Sequence, residues 1–457
     1  MTIHKITKGL DLPISGAPTQ VIDYQSTITS VGFVADDFPG IKPRVLVNVG
    51  DIVARGRPIV EDRDTPGVVH TAPGAGRVAA INRGDRRALQ SVVIALSPAE
   101  QDGEFDDAEQ VSFGIDGSAK SEETAMGIRR VLVESGLWTA FRTRPYSRVP
   151  SPVADASAIF VTAMDTNPLA PKPEVILSDQ YPAFVTGLRI IAKLTTGTTY
   201  LCVESGSDIG EKVDAPVQVE QFTGPHPAGT AGVHIHLLEP VHRDKTVWTI
   251  GYQDVAAVGH LFQTGHLHVE RIVSLAGPPI NRPRLVEARL GASLRDLAAS
   301  EYSDHDIRWI SGSVLSGKAA MGDVFGYLGR YDVQVSALAD ARTRKFFGWL
   351  RPGSRTFSAI PVFLSGLSRS PCDFTTDLQG SRRAMVPIGM FERVVPFDIL
   401  PTFLLRALAA GDYEQAERLG CLELAEEDVA LCTFVDPGKI DYGPLLRSNL
   451  DRIYHEG

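Results

Sequence analysis

The chain has 457 residues, 43% hydrophobic and 22% charged, with a formal net charge of −10. That length points to about three domains with ample material for packed cores. The acidic balance, without a Lys/Arg-rich run, argues against nucleic acid and against electrostatic docking on anionic lipid. The longest apolar runs, over 91–96 and 403–410, fall far short of the roughly 20 residues of a bilayer span, and the opening MTIHKITKGLDLP lacks a signal-peptide core. The expectation is a cytoplasmic chain, soluble by itself, that meets a membrane only through a partner. Cys202, Cys372, Cys421 and Cys432 are scattered as reduced thiols would be.

Residues 1–100 read as all-β. A strand over 45–53 is followed by ARGRPIVE, a turn, and VVHTAPGAGRVAAI. Gly50, Asp51 and Gly56 supply turns, and Pro73, Gly74 and Gly76 form a corner before the last strand. The phrase VxVGDxVxxGxPIxE…APxxGxV resembles the barrel-sandwich hybrid of biotinyl/lipoyl-like domains. A swinging-arm carrier would present a lysine at the hairpin tip. Here the tip reads Asp62, Arg63, Asp64, Thr65, Pro66, Gly67, so a docking or scaffold barrel is expected, without a covalent cofactor.

An acidic linker over 100–109 is expected next. Ser121 with Glu122 and Glu123 reads as an N-cap with acids in the first turn, and Gly136 as the residue ending that helix. Ala125, Ile128, Val131 and Leu132 share its apolar face. A buried strand over 158–164, a helix near 180–194 and a strand over 199–203 continue a βα rhythm, so 101–265 reads as a Rossmann-like α/β domain. Residues 266–345 mix short strands with LVEARLGASLRDLAAS and look like an SLBB β-grasp module. Residues 346–395, opening with FGWLRPG from Phe347, form a connector of undefined fold. From 396 to 457 the pattern is helical. Ile399, Leu400, Phe403, Leu404, Ala407 and Leu408 form one stripe stopped by Gly411. Asp412 with Gln415 resembles a capping box, and Gly420 ends that helix. Glu426, Glu427 and Asp428 read as the solvated first turn of a third helix, and a last helix follows Pro444.

Seven of the 11 histidines lie between 226 and 268: His226, His234, His236, His242, His260, His266 and His268. VHIHLL and GHLHVERIV read as strands, which puts His234 with His236, and His266 with His268, on one face each. Such pairs could hold zinc or iron with one of Glu239, Asp244, Asp254 or Glu270. The alternative function is therefore a metal-dependent enzyme built on 226–268. Against it, HExxH and CxxC are absent, and histidines bonded to backbone or facing water are the simpler account of the pattern. In GPHPAGTAGVH, Pro225 and Pro227 forbid helix, while Gly224, Gly229 and Gly232 allow tight turning or close approach by another surface.

The strings GPHPAGTAGVHIH, KTVWTIGYQDVAAVG, LVESGLWTAFRTRPYS, FVTAMDTNPLAP, RAMVPIGMFERVVPFDILPT and CLELAEEDVALCTFVDPGK resemble the NqrA family of the sodium-translocating NADH:quinone reductase, nearly end to end. The resemblance implies a cofactor-free peripheral protein on the cytoplasmic side of the bacterial inner membrane. It would sit on the membrane-embedded NqrB within a six-subunit complex that oxidises NADH, reduces ubiquinone and exports sodium. More distantly the chain is similar to the RnfC family of the Rnf complex and the flavin-bearing component of complex I. Those families cradle the flavin phosphate on a glycine-rich loop. Here that position reads LWTAFRTRP, whose large side chains fill the space that backbone would need. Those families also bind an iron–sulfur cluster through closely spaced cysteines; here only Cys421 and Cys432 remain in the helical region. A stand-alone flavin dehydrogenase is the second rival.

Ubiquinone needs an apolar wall and donors for two carbonyls. Trp138, Phe141 and Tyr146 alternate with Arg142, Arg144 and Arg148, which supplies both in one stretch. Phe33 and Phe38 are a second apolar candidate. Two other readings stay open: aromatics plugging an abandoned flavin cavity with arginines bonded to carbonyls or acids, and a quinone held wholly in the membrane subunits.

Overall fold

A computed structural model describes residues 2–24, 27–103, 108–114, 124–299, 301, 306–341, 352–353, 356–360, 362–367 and 370–456. The expected cap at Ser121 with Glu122 and Glu123, and the connector's opening from Phe347 to Arg351, lie outside these residues.

The barrel-sandwich folds from a four-stranded sheet, in the order Ser30–Val34, Leu89–Leu96, Gly76–Arg83, Ile52–Val53, and a three-stranded sheet, Pro43–Val45, Pro58–Asp62, Val69–Thr71. Alternation buries Val31, Ile59, Val78 and Val92 between them. The first two strands of the chain leave this barrel. Ile3–Lys5 pairs in parallel with Gln218–Thr223 in the α/β sheet, and Thr19–Asp23 with Arg284–Arg289 in the third sheet. Residues 2–24 therefore stitch the later domains together.

The expected acidic linker is not a solvated spacer where it begins. Ser97 caps a short helix, Pro98–Asp102, that carries Glu100 into the interior. Its carboxylate accepts from Arg55 Nη2 at 2.6 Å and from the Ala75 N–H at 3.0 Å, and it also pairs with Arg289. Barrel and third sheet are joined through one buried acid.

The α/β sheet runs Ile3–Lys5, Gln218–Thr223, Thr198–Glu204, Ala158–Ala163, Val247–Gly251, Arg142–Arg144, all parallel but for the last. Chain order grows away from Ala158–Ala163 on one side and then jumps to Val247–Gly251 on the other. That reversal opens a crevice at the carboxyl ends of these two strands. Helices Tyr181–Ile191 and Tyr252–Thr264 cover one face in near backbone contact. A Cβ at Gly259 would fall 1.8 Å from the Ala183 oxygen, and one at Gly187 1.9 Å from the Val255 oxygen.

The third sheet, Lys318–Ala319, Ile307–Ser311, Gln334–Ala339, Glu270–Ala276, Arg284–Arg289, Thr19–Asp23, buries Trp309. The C-terminal helices are Pro401–Ala410, Tyr413–Arg418, Ala430–Val435 and Tyr442–Glu456. Gly411 and Gly420 take left-handed backbone, and Asp412 accepts the Gln415 N–H at 3.1 Å, as the capping pattern requires. Two details differ from the sequence reading. Leu400 and Phe403 are 59% and 58% exposed rather than part of the buried stripe. The last helix begins at Tyr442, because Pro444 is tolerated in a first turn.

Candidate functional site

Helix Ala125–Glu134 ends at Gly136, φ +78°, where only a residue without Cβ turns at low cost. The chain then makes a 3-10 turn, Leu137–Ala140, and the edge strand Arg142–Arg144. This turn drives Trp138 and Phe141 into the core, fully buried against Trp248 with centroids 5.3 and 5.7 Å away. The Trp138 indole N–H donates to the Pro150 carbonyl at 2.8 Å. Arg144, 1% exposed, donates to Ser147 and to Glu427 at 3.0 Å. Trp138, Phe141 and Arg144 are thus structural neighbours of a cavity, not its lining. The acids read as a solvated first turn are partnered: Glu426 takes Arg447 at 2.6 Å, and buried Asp428 takes the Thr230 hydroxyl and the Ala425 N–H.

The other three residues separate. Tyr146 and Arg148 line a cavity of about 310 Å³ that Phe38, His70, Trp248 and Tyr454 also line. Two of the six candidates from the first stretch and one of the two phenylalanines therefore meet in one place. The Arg148 guanidinium lies 3.9 Å from the Tyr454 ring centroid and donates to Asp451 at 3.2 Å. It passes over Gly40, φ +73°, where a Cβ would sit 2.1 Å from the guanidinium carbon. Arg148 Nε and Trp248 Nε1 are buried and have no hydrogen-bond partner among the described residues. Phe38 meets His70 edge-on at 4.2 Å and stacks on Phe33 at 5.4 Å. Burial, and next the positive charge of Arg330, push the His70 imidazole down to about 3, so it is neutral. A smaller cavity of about 70 Å³ continues past Phe38 and His70 towards Phe33 and Leu137.

Arg142 faces a different cavity, of about 180 Å³, at the crevice where strand order reverses. Asp165, Tyr252, Asp254, Arg271, Arg330 and Tyr331 share it. Burial raises the Asp165 carboxyl to about 6, against the pull of hydrogen bonds from Asn167. It raises Asp332 to about 6 as well, aided by the charge of Asp37.

The histidines are dispersed, and VHIHLL is helix, Ala231–Leu238, not strand. His234 is buried, donates from Nε2 to the Ala228 carbonyl at 3.0 Å, and is held neutral by burial. His236 accepts the Asp398 N–H at Nε2, so its Nδ1 carries the proton given to Glu423 at 2.6 Å. His226 pairs with Thr166, and His242 Nδ1 accepts the Asp244 N–H. His266 and His268 precede the strand that begins at Glu270; His268 stacks on His260 at 4.7 Å and pairs with Glu270 at 3.0 Å. Among the described residues no group of three or more His, Cys, Asp or Glu side chains converges as a metal site. The glycines act as expected: a Cβ on Gly232 would meet the Asp428 carboxylate at 2.4 Å, and one on Gly229 the Thr166 nitrogen at 2.7 Å. Cys421 and Cys432 are buried thiols, and burial pushes Cys421 up to about 12.

Sequence reasoning missed Trp248, His70 and Tyr454 as cavity residues. Each is distant in sequence from the two stretches, and nothing local marks it. Among the described residues no helix is long and apolar enough to cross a membrane.

Three family patterns match the chain: the NqrA N-terminal barrel-sandwich hybrid domain over residues 4–97, the NqrA second alpha/beta domain over 123–267, and the NQRA C-terminal domain over 272–322. The chain is 52% identical over 456 residues, all of both chains, to NqrA of the Na(+)-translocating NADH-quinone reductase of Marinomonas sp. (strain MWYL1). It is 51% identical to the same protein of Pasteurella multocida (strain Pm70), over 99% of each chain. For that of Saccharophagus degradans the identity is 50%, over 99% of this chain and all of the relative. The chain belongs to the NqrA family of Na(+)-translocating NADH-quinone reductases.

Proposed function

We propose that the chain serves as the NqrA component of a sodium-translocating NADH:ubiquinone reductase and holds the ubiquinone headgroup in the 310 Å³ cavity. One observation carries this reading: two buried N–H donors without acceptors among the described residues, Arg148 Nε and Trp248 Nε1, belong to residues of a cavity walled by Phe38 and Tyr146. A quinone offers two carbonyl acceptors on a flat apolar ring, which complements that lining. Phe38 and Tyr146 supply apolar contact, Arg148 and Trp248 fix orientation, and Trp138 and Phe141 hold the Trp248 ring in place from behind. Neutral His70 adds no charge of its own to the inner wall.

In this reading the chain sits on the cytoplasmic side of the inner membrane, carried there by the membrane protein NqrB and the other members of a six-subunit assembly. Exposed apolar side chains support docking on a partner: Val362 at 68%, Leu364 at 55%, Leu378 at 57% and Ile388 at 50%, in a stretch with little regular structure, and Phe403 at 58% on helix Pro401–Ala410. Ala359 and Met385 pin that stretch to the C-terminal helical core.

Trp248→Phe tests the quinone site in the assembled enzyme, since it removes the donor and keeps an aromatic ring. The quinone KM should rise roughly five- to tenfold, as for loss of one hydrogen bond. NADH oxidation by an artificial acceptor should be unchanged. An unaltered KM would remove this cavity from quinone binding.

A further inference from the structure

The polar cavity at the strand-order reversal has no part in the quinone reading, yet its lining is not self-sufficient. Three guanidiniums reach it. Arg271 Nη2 and Arg330 Nη1 both donate to one oxygen of Asp254, at 2.5 and 2.9 Å. Arg330 Nη2 is buried and without a partner among the described residues. Arg142 makes no ion pair among the described residues; its guanidinium lies 4.6 Å from the centroid of Tyr331, and that of Arg330 lies 5.6 Å from the same ring. The carboxylates at this cavity, by contrast, have their donors. Asp165 accepts from the Asn167 N–H and side-chain amide at 2.8 and 2.9 Å, Asp332 from the Ser311 hydroxyl at 2.6 Å, and Glu427 from Arg144. Tyr331 spends its own hydroxyl proton on the Thr139 carbonyl at 2.8 Å. The unfilled valences are therefore the guanidinium donor of Arg330 and the hydroxyls of Thr162 and Tyr252, which also lack partners among the described residues; guanidinium donors match the spacing of two oxygens on one phosphorus. The position is the carboxyl-end crevice of a doubly wound sheet, between Met164 and Asp165 after one strand and Gly251 and Tyr252 after the other, where such sheets bind ligands.

We infer that this cavity is an oxyanion site for a phosphate monoester, with the phosphate held by Arg142 and Arg330 and the ester group directed toward Tyr252. A volume of about 180 Å³ accepts a phosphate with a small attached group. A whole dinucleotide exceeds it, and the side chains filling the 137–145 stretch leave no glycine-rich cradle beside it.

The test is calorimetric titration of the full chain with glycerol monophosphate, a small monoester, and separately with inorganic phosphate, at constant ionic strength. Saturable binding of the monophosphate is expected, weakened about tenfold or more by Arg142→Gln, as for loss of a charge-assisted hydrogen bond. Arg142 has no ion pair to lose among the described residues, only its contact with the Tyr331 ring, so the variant should stay folded with a melting temperature slightly below wild type; Arg142→Lys should bind with intermediate affinity. Absence of saturable binding, or binding indifferent to Arg142→Gln, overturns the site. Inorganic phosphate binding as tightly as the monophosphate overturns the ester assignment. None of these outcomes depends on quinone turnover.

Discussion

Glu100→Gln should be among the most damaging single changes outside the cavities. The carboxylate is 2% exposed and faces Arg55, 4% exposed, and Arg289, 8% exposed. It also takes the Ala75 N–H at 3.0 Å. The amide keeps the volume and one acceptor but leaves two buried guanidiniums without their shared anion. Glu270, 3.6 Å from Arg55 Nη1, offsets part of that for Arg55, while Arg289 loses its close carboxylate contact. Breaking a buried pair of this kind costs about 3–5 kcal/mol, whereas a solvated linker acid changes stability by less than roughly 0.5 kcal/mol. The assay is urea denaturation of the purified chain followed by tryptophan fluorescence and by hydrogen exchange of the strands flanking Ala75 and Arg289. A loss of several kcal/mol with early exchange at that junction is expected. A midpoint within error of wild type would refute the hub and restore the linker.

Two further outcomes follow from the same geometry. Asp165 is raised by burial from its ordinary value to about 6, so the native state binds its proton more tightly than the unfolded chain. The stability this contributes is complete below about pH 4 and is lost as pH rises through 6. Asp165→Asn should flatten the fall in melting temperature between about pH 4 and 6; an unchanged slope would contradict the buried carboxyl. For the docking surface, Val362→Cys and Ile388→Cys should be protected from maleimide in the assembled complex. Val153→Cys, at a site 89% exposed, should label equally in complex and isolated chain. Equal labelling at all three positions would move the partner contact elsewhere, and protection of the isolated chain by lipid vesicles would replace a protein partner by a membrane surface.

Much of the fold was legible because local signals and long-range packing agree in it. The capped turns at Gly411, Asp412 and Gly420, the strands around Phe160 and Leu201, and the glycines that admit Asp428 and Thr166 all follow from residue chemistry alone. The failures occur where a local pattern has two physical solutions. VHIHLL alternates like a strand, but it opens buried through Ile235 and ends with Leu237 exposed, and Thr230 starts a helix there instead. The acids at 100 and at 426–428 look solvated because their partners, Arg55, Arg289, Arg144 and Arg447, lie far away in sequence. The aromatic–arginine alternation at 138–148 reads as one wall with donors. The turn at Gly136 sends Trp138 and Phe141 inward, and the edge strand parts Arg142 from Arg148, so its members serve two cavities.

Whether the cavity lined by Phe38, Arg148 and Trp248 holds the quinone is decided by photo-crosslinking a ubiquinone analogue to the intact complex, followed by peptide mapping. Label is expected in peptides containing residues 33–41 and 146–149 of this chain, competed away by free ubiquinone and weakened in Trp248→Phe. Label confined to the membrane subunits, with competition intact, would contradict the quinone assignment and leave this chain a scaffold.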